Sequence, residues 1–318
     1  MKFLISSLLI TSVIAPSLFA DDTLLSRTRS LMGTYVTISL EEKHNKEISA
    51  SFALIQKIAD SLSTYDTNAT LAKLNQTHSV AFDSYLEEAI TLSKTYYQDT
   101  NGYFDITIGS ISKELYHFGE EKTYSPTQEE LNHAKLNIDG VHINKDDIKS
   151  DDGIVVDLGG MGKGFTVDKV ASYLTEQNIT TGIIALSGDI QCMHHCELFL
   201  QSPFSEGTFA KVTAKIPHLS ISTSGTYRRY ATKKSEHHLI NPKTATQGKA
   251  FVSVSLFTKA DNSKIDAYAT AVSVMPKAEA MKFLDNHKKI GYVLVEGDGN
   301  IIFGNLKVLV DIEWGKQP

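Results

Sequence analysis

The sequence predicts an α+β fold, with mixed sheets and flanking helices in a single compact unit. Short β-branched runs crowd the second half of the chain, and apolar stripes at helical spacing interrupt it. Strand–helix–strand repeats are few, which argues against a doubly wound parallel sheet. No linker of low complexity, internal repeat or long charge run divides the 318 residues. A hydrophobic share of 42% with 21% charged residues excludes disordered, collagen-like and coiled-coil classes. Lys and Arg number 31 against 37 Asp and Glu, a net charge of -6, so no basic field exists to hold a nucleic-acid backbone.

Residues 1–20 read as a cleavable signal peptide. Lys2 supplies a positive start, Phe3 to Ala15 is apolar but too short to span a bilayer, and Ala20 is a small residue before Asp21. No Cys near that junction offers a lipid anchor, and no later stretch reaches the roughly 18 apolar residues of a membrane span. The expectation is an exported, periplasmic, soluble protein whose functional domain covers residues 21–318.

The elements follow in order. Val36, Ile38 and Leu40 alternate with Tyr35, Thr37 and Ser39, the period of a half-buried strand. Ile48, Phe52, Ile55, Ile58 and Leu62 recur at three and four residues, an amphipathic helix; Leu86, Ala89, Ile90 and Tyr97 fit a second. A strand Ile154-Val155-Val156 then leads through a Gly-rich turn into a helix from about Phe165 to Leu174. Further strands are expected at 182–186, 197–201, 208–216, 219–223, 251–257, 292–295 and 301–303, with a helix from Lys264 to Val274 that Pro276 ends. Only Cys192 and Cys196 are present; with His194 and His195 between them they suit either a disulfide or a zinc ion.

Three segments can carry chemistry. Asp157 to Gly164 holds four glycines in eight residues between strand and helix, which lets backbone approach a phosphate-bearing ligand at a helix start. It has neither G-x-G-x-x-G spacing nor the Ser or Thr that follows a P-loop lysine, since Gly164 follows Lys163, and a merely tight turn is the alternative. Asp266 and Thr270 lie one helical turn apart, two hard oxygen donors suited to Mg²⁺ beside a diphosphate, or else a solvated face. His238, before Pro242, can take a proton near neutrality, although an isolated histidine is more often structural.

Together these segments resemble the ApbE family of exported flavin transferases. The resemblance runs from Met32-Gly33-Thr34 through Leu62-Ser63-Thr64-Tyr65, Gly102 to Thr107, Asp157 to Asp168, Ser187-Gly188-Asp189, Thr223-Ser224-Gly225, His238 to Thr244 and Asp266 to Thr270. It implies an ApbE-type, T-fold-like sandwich that takes FAD and Mg²⁺ and esterifies FMN onto a Thr or Ser of an acceptor protein, with release of AMP. Acceptors in such a family are flavoprotein subunits of exported or membrane-bound electron-transfer systems, met transiently. Carried over, Asp266, Thr270 and the Gly160 carbonyl (Gly162 as the second choice) hold the metal. Met32, Tyr65, Phe104, Asp105, Asp157 and Lys163 line the FAD site, His238 is the general base, and the Ile240 backbone meets the flavin. The family commonly has glycine where this chain has Ser187 and Ala245, and the Ala245 turn is expected to differ.

Other readings remain beside it. Water in place of the acceptor hydroxyl gives an FAD pyrophosphatase releasing FMN and AMP, and loss of turnover gives a flavin carrier. Ser110-x-x-Lys113 with Lys243-Thr244 approximates a penicillin-interacting serine enzyme, but the intervening S-D-N element is missing.

Overall fold

A computed structural model describes residues 24–315 and 318; the signal-peptide reading of residues 1–20 lies outside them. In chain order the elements are β1 (Leu24–Leu31), β2 (Thr34–Glu41), α1 (Asn45–Leu62), α2 (Thr70–Thr77), β3 (Ser79–Ala81), α3 (Ser84–Asp99), α4 (Gly109–Ser112) and α5 (Gln128–His133). Next come β4 (Val141–Ile143), β5 (Asp147–Ser150), α6 (Gly162–Glu176), β6 (Ile183–Leu186), β7 (Asp189–Cys192), β8 (Glu197–Gln201), β9 (Thr208–Ala214) and β10 (Leu219–Gly225). The chain ends with β11 (Ile240–Asn241), β12 (Thr246–Gln247), β13 (Ser253–Lys259), α7 (Asn262–Val274), α8 (Lys277–Asn286), β14 (Gly291–Val295), β15 (Ile301–Gly304) and β16 (Val310–Trp314).

An eight-stranded antiparallel sheet, ordered β1-β2-β6-β7-β10-β13-β14-β15, divides the molecule. Period-two alternation sends successive residues to opposite faces. Ile184, Leu186, Leu256 and Leu294 face the helices, whereas Ile183, Ala185, Phe257, Val293 and Val295 face a three-stranded sheet, β16-β9-β8. The helix-side core joins the α1 stripe of Ile48, Phe52 and Ile55 to Val167, Val170 and Leu174 of α6. Helix α7 is enclosed almost all round, so Asp266 is carried inside the protein rather than on a solvated face, with Thr270 half-buried one turn on.

The expected strand at 154–156 is not one. This apolar segment is extended, but side chains take the place of a ladder: Asn75 donates Nδ2 to the Val156 carbonyl (2.9 Å) and accepts the Val156 N–H (2.8 Å), and the Val155 N–H donates to Ser110 Oγ (3.0 Å). Ser110 also donates to the Gly153 carbonyl and is buried, so it is a backbone clamp rather than an exposed nucleophile. The polar β1, with Arg27 and Arg29, was not signalled by alternation because it is an exposed edge; it joins β2 through a two-residue Met32-Gly33 turn with φ of 52° and 69°. Cys192 and Cys196 form a disulfide within the inter-sheet core, which removes the zinc alternative.

Ser187 (φ 58°) and Ala245 (φ 52°) take the left-handed conformation without glycine. The cost is about 1 kcal/mol for each such residue.

Candidate active site

The site grows from the contact between the start of α6 and the start of α7. Gly164 meets Asn262 and Asp266 so closely that an added Cβ would lie 2.5 Å from the Asn262 carbonyl oxygen and 2.8 Å from Asp266 Cβ. That closeness lets Asp266 reach across and accept the Gly164 N–H on Oδ2 (3.0 Å), satisfying a donor that the first turn of α6 cannot pair internally. The favour is returned. Asp168, on the next turn of α6, accepts the N–H groups of Asn262 (2.8 Å) and Ser263 (2.7 Å), where Asp261 at the N-cap provides no side-chain cap. Residue 164 against 266 and 168 against 262 means the helices run antiparallel, each capping the other.

Thr270, one turn beyond Asp266, points its Oγ1 at the Gly160 carbonyl, 3.4 Å away. A side chain at position 160 would crowd that hydroxyl at 3.0 Å and Phe104 at 3.3 Å. Asp266, Thr270, Gly160 and Lys163 therefore converge on one corner, with Phe104 as its apolar wall. The donor set is a buried carboxylate, an alcohol and a backbone carbonyl, all hard oxygens; with the glycine-only clearance at 160 they fit a cation such as Mg²⁺ that also keeps waters and phosphate oxygens. Gly162, the second candidate for the carbonyl, instead accepts the Thr166 hydroxyl on its oxygen (2.7 Å). Among the described residues no group of three or more His, Cys, Asp or Glu assembles as a metal cluster, at this corner or elsewhere.

Electrostatics concentrate here. Lys163 Nζ lies 2.9 Å from Asp189 Oδ2 and 3.3 Å from Asp266 Oδ2. Burial alone would lower the lysine, but the two carboxylates outweigh it and hold the ammonium well above its ordinary value. Burial, reinforced by Asp189, raises Asp266 against the pull of Lys163 and the Gly164 N–H. Asp189 is 1% exposed and also accepts Ser222 Oγ (2.6 Å). The sequence placed Asp189 in a matching motif but gave it no role; a carboxylate on β7, beside the strand bearing Ser222, is brought to Lys163 only by the sheet order.

A second cluster stands at the other end of the glycine turn. Asp157 accepts Ser112 Oγ (2.8 Å) and the Gly159 N–H (2.9 Å) and lies 3.5 Å from Lys113 Nζ. Burial works to raise Asp157, yet Lys113 and these hydrogen bonds leave it below the usual carboxylate range. Lys113 also donates to Tyr65 Oη (2.6 Å), so it ties Tyr65 to Asp157. The Tyr65 ring packs on Gly119, is half exposed, and has Lys113 Nζ 4.2 Å from its centroid.

The remaining predicted residues are more scattered. Met32 accepts the Thr166 hydroxyl on Sδ (3.4 Å), which pins the β1–β2 turn to α6. His238 pairs Nδ1 with the Arg229 carbonyl (3.1 Å); burial, with Arg229 and Lys163 nearby, lowers it to about 4, so it is neutral at pH 7. Asp105 spends its Oδ1 on the N–H and hydroxyl of Thr107 and borders a cavity of about 390 Å³ with Gly102, Pro242 and Lys243, which is not the Asp266 corner. Ile240 pairs with Gln247, and its side chain packs with Ile111, Tyr116 and Phe118.

The architecture is that of an α+β protein of antiparallel sheets in which reciprocally capped helices bring a carboxylate, a hydroxyl and a glycine corner together. The ApbE family model matches residues 32–294, and the chain belongs to that family. It is 24% identical over 287 residues to the FAD:protein FMN transferase of Haemophilus influenzae, covering 82% of this chain and 81% of that one. It is 27% identical over 270 residues to the enzyme of the same name from Vibrio cholerae, covering 77% and 78%. Among solved structures, the ApbE protein of Thermotoga maritima superposes with a TM-score of 0.79 at 22% identity, covering 88% of this chain and 97% of that one. The flavin transferase ApbE of Vibrio cholerae gives 0.74 at 21%, covering 92% and 97%.

Proposed function

We propose that the protein is a transferase that moves FMN from FAD onto a Thr or Ser hydroxyl of an acceptor protein, with Mg²⁺ and release of AMP. Family membership supports the transferase class. The observation that carries the chemical reading is the meeting of Asp266, Thr270, Gly160 and Lys163 at one glycine corner. When bound, Mg²⁺ supplies neutralisation of diphosphate charge.

The chain's own residues divide the remaining tasks. Asp266, Thr270 and the Gly160 carbonyl would hold the cation, and Lys163 adds a positive charge for phosphate oxygens. Tyr65 offers a ring face and Asp157 orders the turn beside it, while Met32 and Phe104 line the apolar side. Donation of Nδ1–H to the Arg229 carbonyl assigns the His238 tautomer and leaves Nε2 free to accept the hydroxyl proton. The acceptor oxygen then bonds to the FMN phosphorus, the bridging P–O bond breaks, and AMP departs with that bridging oxygen. Placement and charge carry most of such a step.

The signal-peptide reading of residues 1–20 places this activity in the periplasm, where the acceptor is an exported or membrane-bound electron-transfer subunit. No described helix is long and apolar enough to cross a membrane. Incubation with FAD, Mg²⁺ and a Thr-bearing acceptor domain is expected to leave covalent flavin fluorescence on the acceptor in a denaturing gel. Free FMN and AMP alone would convert the reading to a pyrophosphatase, and no AMP at all to a carrier.

A further inference from the structure

Two buried carboxylates, Asp266 in the corner and Asp189 beside it, share one ammonium. Lys163 stands between Asp189 and Asp266, nearer the former by 2.9 Å against 3.3 Å. The Asp266 bonds from Lys163 and Gly164 both fall on Oδ2. Asp189 is fixed independently: Ser222 donates to its other oxygen, Oδ1, from the neighbouring strand β10, and the residue is 1% exposed. An ammonium bonded only to Asp266 would compete with any cation for that carboxylate, since two positive charges within a few ångströms repel strongly in a buried site. Asp189 offers the ammonium a second, rigid partner outside the Asp266–Thr270–Gly160 corner.

We infer that Asp189 is a positioning residue that holds Lys163 clear of the cation position, so that Asp266 is free to ligate while the lysine stays beside the diphosphate. This rests on the reading of Asp266 and Thr270 as cation ligands and deepens it. Asp189 acts through Lys163 rather than by its charge alone, and that distinction is measurable.

The test is a double-mutant cycle on the full protein, with Mn²⁺ as probe and free Mn²⁺ followed by electron paramagnetic resonance. Asp189→Asn keeps an oxygen for the Ser222 hydroxyl and removes the partner of Lys163. It is expected to weaken Mn²⁺ binding about tenfold when Lys163 is present, and by less than about twofold in a Lys163→Met background, a coupling in the range of contacting charged groups. Equal losses in both backgrounds would overturn the proposal by leaving Asp189 only its charge. Unchanged binding in Asp189→Asn would also overturn it while leaving the metal reading intact. A wild-type protein that binds no Mn²⁺ with or without FAD would overturn both. Should Asp189→Asn fail to fold by circular dichroism, Ser222→Ala loosens the same carboxylate. It is then expected to weaken Mn²⁺ binding only when Lys163 is present, and a Lys163-independent effect would refute the idea.

Discussion

Gly164→Ala tests the α6–α7 contact on which the whole corner depends. An alanine methyl there would sit 2.5 Å from the Asn262 carbonyl oxygen, 2.7 Å from its carbon and 2.8 Å from Asp266 Cβ. Two of these atoms are backbone, so relief requires the start of α7 to retreat by roughly 1 Å to reach ordinary contact near 3.5 Å. Overpacking of this kind costs about 1–3 kcal/mol. The same retreat stretches the 3.0 Å bond from the Gly164 N–H to Asp266, and hydrogen bonds to charged groups contribute about 1.5–3 kcal/mol. Against this, alanine gains up to about 1 kcal/mol of helix propensity over glycine. The net expectation is destabilisation of about 2–4 kcal/mol in urea unfolding, with transfer activity reduced at least about 100-fold because ligands displaced by an ångström no longer converge. Gly162→Ala is the internal control. Its Cβ would meet only Leu158 and Leu62, at 3.9 and 4.0 Å, and stability should be unchanged or slightly raised. If Gly164→Ala unfolds at the same urea concentration as Gly162→Ala, the argument that helix contact builds the corner is wrong.

The other predictions are narrower. Asp266→Asn and Thr270→Val should each reduce covalent flavinylation of the acceptor at least about 100-fold, as loss of a ligand to a catalytic cation does, and excess Mn²⁺ should partly rescue the threonine variant. Because burial lowers His238 to about 4 from 6.5, its neutral form favours the fold. That stability is fully present above pH 6.5 and is lost as pH falls from 6.5 toward 4, so His238→Gln should unfold less steeply with acid than the parent. The kcat/KM profile should likewise show no acidic limb near 6.5 that disappears in this variant; finding one would contradict a histidine held neutral. Reduction of the Cys192–Cys196 disulfide should cost about 2 kcal/mol or less for so short a loop and leave flavin transfer intact, since the bond lies in the inter-sheet core away from the helices. Ala245→Gly should raise thermal stability by about 0.5–1 kcal/mol by relieving a left-handed alanine.

What could be read in advance depended on whether a signal was local. The α1 stripe from Ile48 to Leu62 and the alternation of Val36, Ile38 and Leu40 are periodicities within one element, and both stand where they were expected. Asp266 and Thr270 were legible as a pair because four residues of helix fix their geometry. The burial of Asp266 was not legible: an Asp and a Thr one turn apart look the same on a solvated face, and only the enclosure of α7 distinguishes the cases. Segment 154–156 misled for the opposite reason, since Ile-Val-Val is a strand composition whose ladder partners were replaced by Asn75 of α2 and Ser110 of α4.

Asp189 and Asp168 show what lies beyond local reading. Each is an acidic residue that acts on another element: Asp189, on β7, on Lys163 of α6, and Asp168 on the first N–H groups of α7. The two caps run in opposite directions between the same helices, so neither helix start is satisfied without the other in place. Burial raises Asp168 to about 6 despite its two backbone donors, which means its charged form is held at a cost that closer helix contact must offset. A cap supplied by the helix's own N-cap residue would have made α6 and α7 independent. Exchanged caps instead couple the glycine turn, Lys163 and the Asp266–Thr270 pair into one folding unit, so a lesion at either helix start is expected to disturb the ligand geometry at the other.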